Sequence, residues 1–154
     1  MSRIPVTVLG ATGVVGQRFV ARLAHHPRFE LVGLAASDRS AGKRYRDACE
    51  WRLDSEPFGG LGDQVLTASD PSVAFSPIVF SALDSGPARE IEPAFASAGA
   101  NVFSNAATFR MDLDVPLLVP EVNPGHLALL ETQRCLDRLL STLERLRTHP
   151  STHP

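Results

Sequence analysis

The stretch VTVLGATGVVGQRF, residues 6–19, constrains the fold more than any other part of the chain. Just before and within it, the apolar and partly β-branched run PVTVL, 5–9, ends at Gly10 and reads as a buried parallel strand. Gly10, Gly13 and Gly16 follow at G-x-x-G-x-x-G spacing. From Val14 the apolar residues Val15, Phe19, Val20 and Leu23 recur at helical spacing, until HHP, 25–27, stops the pattern. Strand, glycine turn and helix in that order make a phosphate loop. The first N–H groups of a helix have no partner inside it, the helix dipole attracts an anion, and glycines let the chain turn tightly beside the ligand. The spacing differs from the G-x-G-x-x-G of many dinucleotide folds, and a tight turn without a ligand uses the same residues. The rest of the chain has to decide between them.

Further elements alternate. FELVGLAAS, 29–37, predicts a second strand, followed by the polar, cationic loop DRSAGKRYRD, 38–47. Residues 48–77 are the least readable, with QVLTA, 64–68, as a possible strand. PIVFSAL, 77–83, predicts a continuous apolar strand, and PAREIEPAFASAG, 87–99, a helix closed by Gly99. NVFSNA, 101–106, and VPLLVPEV, 115–122, supply further strand candidates. Strands alternating with helices predict an α/β fold of Rossmann-like, doubly wound type, with a mostly parallel sheet and helices on both faces. The expected organisation is a dinucleotide-binding domain over 1–123, an amphipathic helix over 124–147 and a disordered tail over 148–154. The helix rests on Leu127, Leu130, Leu136, Leu139, Leu140, Leu143 and Leu146.

At 154 residues, 44% hydrophobic and 21% charged, the chain has the balance of one globular domain and no length for a second full one. A net charge of −2, with fifteen basic residues scattered along the sequence, argues against a nucleic-acid partner. No segment approaches the roughly 18 uninterrupted apolar residues of a membrane span, so a cytoplasmic protein is expected. Cys49 and Cys135 lie far apart without metal-ligand spacing. Pro150 between His149 and His153 prevents a helical face that would bring both to one ion. No metal is expected.

Two more features bear on the ligand. In ASDRSAGK, 36–43, Asp38 suits the ribose hydroxyls of NAD, whereas Ser37, Arg39, Ser40 and Lys43 suit the 2′-phosphate of NADP. The residues alone leave that choice open, leaning to NADP. FSALDSG, 80–86, and FSNAATFRMDLDVP, 103–116, place small and hydroxyl residues at the carboxyl ends of predicted strands, where doubly wound sheets hold ligands. Ser81, Ser85, Ser104 and Asn105 are candidates for the nicotinamide end, with a cap or turn role as the alternative for each.

VLGATGVVGQRFVARLAHHPRFELVGLAASDRSAGKRYRDACEW, VFSAL and FSNAATFRMDLDVPLLVPEVNPGHLALLETQR together resemble the amino-terminal half of aspartate-semialdehyde dehydrogenases of the archaeal and fungal-type branch. The likeness covers roughly residues 4–134 and is weakest around 52–75. It implies an NADP-using Rossmann domain from an enzyme of the aspartate pathway to lysine, methionine and threonine. In that family a cysteine thiolate displaces phosphate from aspartyl phosphate, and NADPH then reduces the thioester to the semialdehyde. A histidine serves as acid and base, and arginines hold the carboxylate and phosphate. Position by position, Gly10, Thr12, Gly13, Val14, Val15 and Gly16 fall on the phosphate loop. Ser37, Arg39 and Ser40 fall on the adenosine-phosphate pocket, Ser81 and Leu83 on the nicotinamide side, and Asn105 and Arg110 on the phosphate side of the substrate site.

After ETQR the sequence departs from the family, which continues to an Asn-Cys-Ser/Thr nucleophile segment and a second domain. Cys135 has Arg134 before it and Leu136 after it, and lies in a leucine-rich helical pattern, so it is rejected as the nucleophile. The expectation is a cofactor-binding half without turnover by itself. Two alternatives are a related acyl-phosphate or acyl-CoA reductase fragment and a non-catalytic nucleotide-binding or interaction module. Self-association through exposed apolar surface or the carboxyl-terminal helix is a further expected property.

Overall fold

A computed structural model describes residues 2–113, 115–119 and 121–128, with the Leu127 side chain excepted. The chain divides into two compact units, 1–108 and 109–154. The first contains five strands: β1 (Ile4–Leu9), β2 (Phe29–Ala36), β3 (Thr67–Ala68), β4 (Ile78–Ser81) and β5 (Asn101–Ser104). Its helices are α1 (Val14–Leu23), α2 (Tyr45–Ala48), α3 (Pro71–Ala74) and α4 (Ser85–Ser97). All strand pairs are parallel, in the order β3-β2-β1-β4-β5. The doubly wound sheet read from the sequence is therefore present.

β1 is central and buried on both faces, so its alternation separates two cores rather than core from solvent. Val6 and Val8 pack with Val20 and Leu23 of α1, Leu34, Tyr45 and Leu66. Leu9 packs on the opposite face with Ala35, Ala74 of α3, Val79 and Phe95 of α4. Between Val6 and Thr7 the pairing with β2 slips from Leu31 to Gly33, so Val32 bulges out. The Gln64 side chain takes up the freed Val32 carbonyl at 3.0 Å. Helix ends follow local chemistry. Asp70 caps α3 by accepting the Ser72 N–H at 2.7 Å, with Pro71 in the first turn. α4 closes at Gly99, whose φ of +95° lets the Ala100 N–H return to the Phe95 carbonyl at 3.0 Å.

The buried positions of α1 are Gly16, Gln17, Val20 and Leu23, and Val15, which the resemblance assigns to the phosphate loop, is exposed. One expectation is corrected: VPLLVPEV is no strand among its described residues. Pro116 has no N–H to give a ladder, and the carboxamide of Asn123 captures this segment as a turn instead. Asn123 accepts the Val119 N–H and donates to the Leu117 carbonyl, each at 2.6 Å. A 3-10 turn follows at Pro124–Leu127. The remainder of the expected helix over 124–147, Cys135 and the tail with His149 and His153 lie outside the described residues. Among the described residues no helix is long and apolar enough to cross a membrane.

Candidate functional site

Because every pairing is parallel, the carboxyl ends of all five strands share one edge. The chain runs from β1 outward through β2 to β3, then crosses to β4 and β5 on the other side of β1. The winding therefore reverses between β1 and β4, the place where open α/β sheets leave a crevice for ligands. Gly10 sits there, with a φ of +69°. A Cβ on Gly10 would stand 2.7 Å from the Ala82 carbonyl oxygen of the turn after β4. A Cβ on Gly16 would stand 2.1 Å from the Gly10 carbonyl oxygen, so only glycine lets α1 start this close to its strand. Gly13 differs: it precedes α1 in extended conformation, and a Cβ there would meet only the Gly10 oxygen, at an ordinary 3.5 Å.

Four successive carbonyls of this loop are engaged within the protein. Gly10 accepts the Gly13 N–H at 3.1 Å, and Gly13 accepts the Gln17 N–H at 2.9 Å. Ala11 accepts the buried Tyr45 hydroxyl at 2.6 Å, and Thr12 accepts from Gln17 Nε2 at 3.1 Å. The first N–H groups of α1, at Val14, Val15 and Gly16, precede any intrahelical acceptor, and the first turn carries no acidic side chain. A loop with its oxygens turned inward and helical donors at its end presents positive potential to an anion.

Ser37, Arg39 and Ser40 follow the carboxyl end of β2. The Ser37 carbonyl accepts the N–H groups of Ser40 and Ala41 at 2.8 and 3.0 Å, closing a compact turn. Behind it, residues 42–46 bond antiparallel to 62–66 through Gly42 to Leu66, Leu66 to Lys43, Tyr45 to Gln64 and Arg46 to Gly62. Arg44 and Arg46 are both paired with Asp63. Among the described residues Arg39 and Lys43 have no ion-pair partner, so two exposed cations remain available at this turn.

On the other side of the crevice Ser81 is fully buried at the end of β4. Its hydroxyl accepts the Leu83 N–H at 3.5 Å and its carbonyl accepts the Asn105 N–H at 3.0 Å, so it shapes both turns. Leu83 is half-buried against the core cluster that contains Leu9, Val79 and Phe95. Ser104 donates to buried Glu92 at 2.6 Å and accepts the Ala106 N–H at 3.0 Å. Asn105 is exposed, and Ser85 opens α4, its carbonyl accepting from Thr108 at 2.9 Å. The edge thus brings together every candidate site residue of the first unit. Arg110 belongs to the second unit, where it is exposed.

Sequence reasoning missed Gln17, Tyr45 and Glu92. For Gln17 the available signal was a polar residue directly after Gly16; for Tyr45, some thirty residues from the glycine loop in sequence, there was none. Burial pushes the half-buried Cys49 thiol up, opposed by the Gln17 carboxamide and the Arg52 charge. Cys49 is therefore no activated nucleophile.

A parallel sheet wound outward in both directions, with a glycine loop and helix start at the reversal, defines a Rossmann-type nucleotide-binding domain. Residues 5–130 match the family model for the semialdehyde dehydrogenase NAD binding domain, and the chain belongs to that family. It is 51% identical over 132 residues to an aspartate-semialdehyde dehydrogenase of Archaeoglobus fulgidus, covering 86% of this chain and 38% of that one. It is 50% identical over 121 residues to the enzyme of the same name from Saccharomyces cerevisiae, covering 78% of this chain and 33% of the relative. A crystal structure of the Candida albicans enzyme with NADP superposes with a TM-score of 0.82 at 45% identity, covering 86% of this chain and 37% of the other. The chain thus spans little more than a third of the length of these relatives.

Proposed function

We propose that these 154 residues bind NADP as the cofactor half of an aspartate-semialdehyde dehydrogenase, with the dinucleotide-binding domain over 1–123. The observation that carries the reading is the glycine loop, whose four carbonyls are all engaged inward while the N–H groups of Val14, Val15 and Gly16 begin a helix. A pyrophosphate fits such a donor array, and the absent Cβ groups of Gly10 and Gly16 keep the loop compact enough to receive it. Thr12, Gly13, Val14 and Val15 line that approach. Ser37, Ser40 and the unpaired Arg39 are assigned to the 2′-phosphate, which takes charge-assisted hydrogen bonds. Ser81 and Leu83 shape the nicotinamide end, and Asn105 and Arg110 are assigned to the substrate phosphate.

When bound, the nicotinamide exchanges a hydride with an acyl carbon. These residues orient it and keep the loop closed beneath it. Cys49 and Cys135 both lack the Asn-Cys-Ser/Thr setting, so the 154 residues by themselves are expected to bind without turnover. In the setting proposed, the activity is reductive dephosphorylation of aspartyl phosphate in cytoplasmic synthesis of lysine, methionine and threonine. Asp38, exposed beside Arg39, is the one residue that favours NAD.

Calorimetric titration with NADP and NAD tests the reading. NADP is expected to bind more tightly, and Arg39→Ala to weaken NADP about tenfold or more while leaving NAD nearly unchanged. Binding of neither dinucleotide would refute it. Self-association is proposed through the exposed Val32, Val65, Val73 and Phe75, which surround a cavity of about 120 Å³ beside the unpartnered Thr7 hydroxyl. Concentration-dependent sedimentation that Val73→Glu abolishes would support it, and a monomer at every concentration would end it.

A further inference from the structure

We propose that Gln17 and Tyr45 are positioning residues of the dinucleotide site, which hold the Ala11 and Thr12 carbonyls away from the ligand so that the loop meets a pyrophosphate with N–H groups. The inference rests on the reading of this edge as a dinucleotide site and adds residues to it.

A carbonyl oxygen turned toward a phosphate repels it, and in a trans peptide the C=O and the following N–H point in opposite directions. Drawing the Ala11 oxygen inward therefore sends the Thr12 N–H the other way. Tyr45 does this with a 2.6 Å bond from a fully buried ring, which α2 and the pairing of 42–46 with 62–66 hold in place. The ring is wedged edge-on against Trp51 and Phe58, with centroids 6.5 and 5.1 Å away. Its hydroxyl thus arrives at Ala11 from a fixed direction.

Gln17 spends its carboxamide on main chain, with one long contact from Nε2 to the Cys49 Sγ at 3.9 Å besides. Nε2 donates to the Thr12 carbonyl at 3.1 Å and to the Glu50 carbonyl at 2.9 Å, and Oε1 accepts the Arg52 N–H at 2.9 Å. The side chain is 1% exposed, on the face of α1 where an apolar residue would pack without any need of partners. A residue there that only filled the core would need none of these bonds. What they accomplish is to tie the glycine loop to the segment 50–52, some 35 residues later in sequence. The order of that otherwise irregular segment and the orientation of the Thr12 peptide become one property.

The test uses the full chain with Gln17→Met, which keeps the shape and loses all three main-chain bonds, and Tyr45→Phe, which loses one hydroxyl and keeps the ring packing. Calorimetry with NADP and with adenosine 2′-monophosphate separates positioning from general loss of fold, because the second ligand has no pyrophosphate. Each variant is expected to bind NADP about tenfold more weakly, one hydrogen bond's worth or more, and the monophosphate about as well as the parent does. NADP affinity equal to the parent's in both variants, or equal loss for both ligands, overturns the proposal. A ligand-free measurement separates this from the broader reading: nitrogen-15 relaxation of residues 11–16 is expected to show new fast motion in each variant. Unchanged order in both refutes the positioning role even if the parent binds no dinucleotide, and a parent that binds none refutes the dinucleotide reading itself.

Discussion

Replacing Gly16 and Gly13 one at a time with alanine separates two roles that the sequence spacing makes look alike. At Gly16 the new methyl would lie 2.1 Å from the Gly10 oxygen and 2.8 Å from the Ala11 Cα, both backbone atoms that no rotamer change can move. Overpacking of this kind costs about 3 kcal/mol at the upper end of its usual range. Opening the turn also gives up the Gly13-to-Gly10 hydrogen bond, worth about 1 kcal/mol. Alanine recovers about 1 kcal/mol of helix propensity. The net loss is about 3 kcal/mol, which for a chain of this size lowers Tm by about 10 °C. At Gly13 the methyl meets one atom at 3.5 Å, and φ of −75° suits alanine. Only about 0.5–1 kcal/mol of capping preference is lost there, so Tm falls by about 2–4 °C. Gly13→Ala should nevertheless bind NADP poorly, since its methyl enters the space through which the ligand approaches. Scanning calorimetry of the two variants, with and without NADP, checks both statements. A Gly16→Ala protein as stable as the parent, or a Gly13→Ala protein that keeps full affinity, refutes the division of roles.

Tyr45 makes the stability of the fold pH-dependent. Burial, with the Cys49 charge as a lesser cause, raises its phenol well above the ordinary value, so the folded state keeps a proton that the unfolded chain gives up. Its contribution is complete below pH about 10 and is lost above it, at up to about 1.4 kcal/mol per pH unit. Tyr45→Phe should flatten the alkaline limb of a denaturant-midpoint profile, and an identical limb in both proteins would refute this. As the chain's single tyrosine it can also be followed alone, by the rise of phenolate absorbance as the protein unfolds in alkali. At the other side of the crevice Ser104→Ala removes the hydroxyl donor to Glu92, a carboxylate only 5% exposed, and the acceptor of the Ala106 N–H. About 2 kcal/mol of stability should go with it, and Glu92→Ala in the same background should then cost less than it does in the parent. Additive effects in that cycle would show that the two side chains do not act on each other.

The sequence made the sheet legible where one strand had two apolar faces, because a run such as PIVFSAL has no other use in a chain this short. It misled where a single side chain outweighed a pattern. VPLLVPEV has the composition of a strand, yet Asn123 satisfies the Leu117 carbonyl and the Val119 N–H itself, and Pro116 withholds another donor. Hydrophobic periodicity cannot register a turn closed by a carboxamide from outside the run. The same blindness hid the site's supports. The apolar spacing of α1 ran through Val15, Phe19, Val20 and Leu23 and passed over Gln17, which is buried. In the first turn of α1 the inward position after Gly16 is polar and its carboxamide serves the Thr12 carbonyl, while apolar Val14 and Val15 face outward. Val14 and Val15 are accordingly about 40% exposed while Gln17 is about 1% exposed. A polar residue at the first inward position after the last loop glycine therefore signals a loop whose carbonyls are held from within, which glycine spacing alone does not carry.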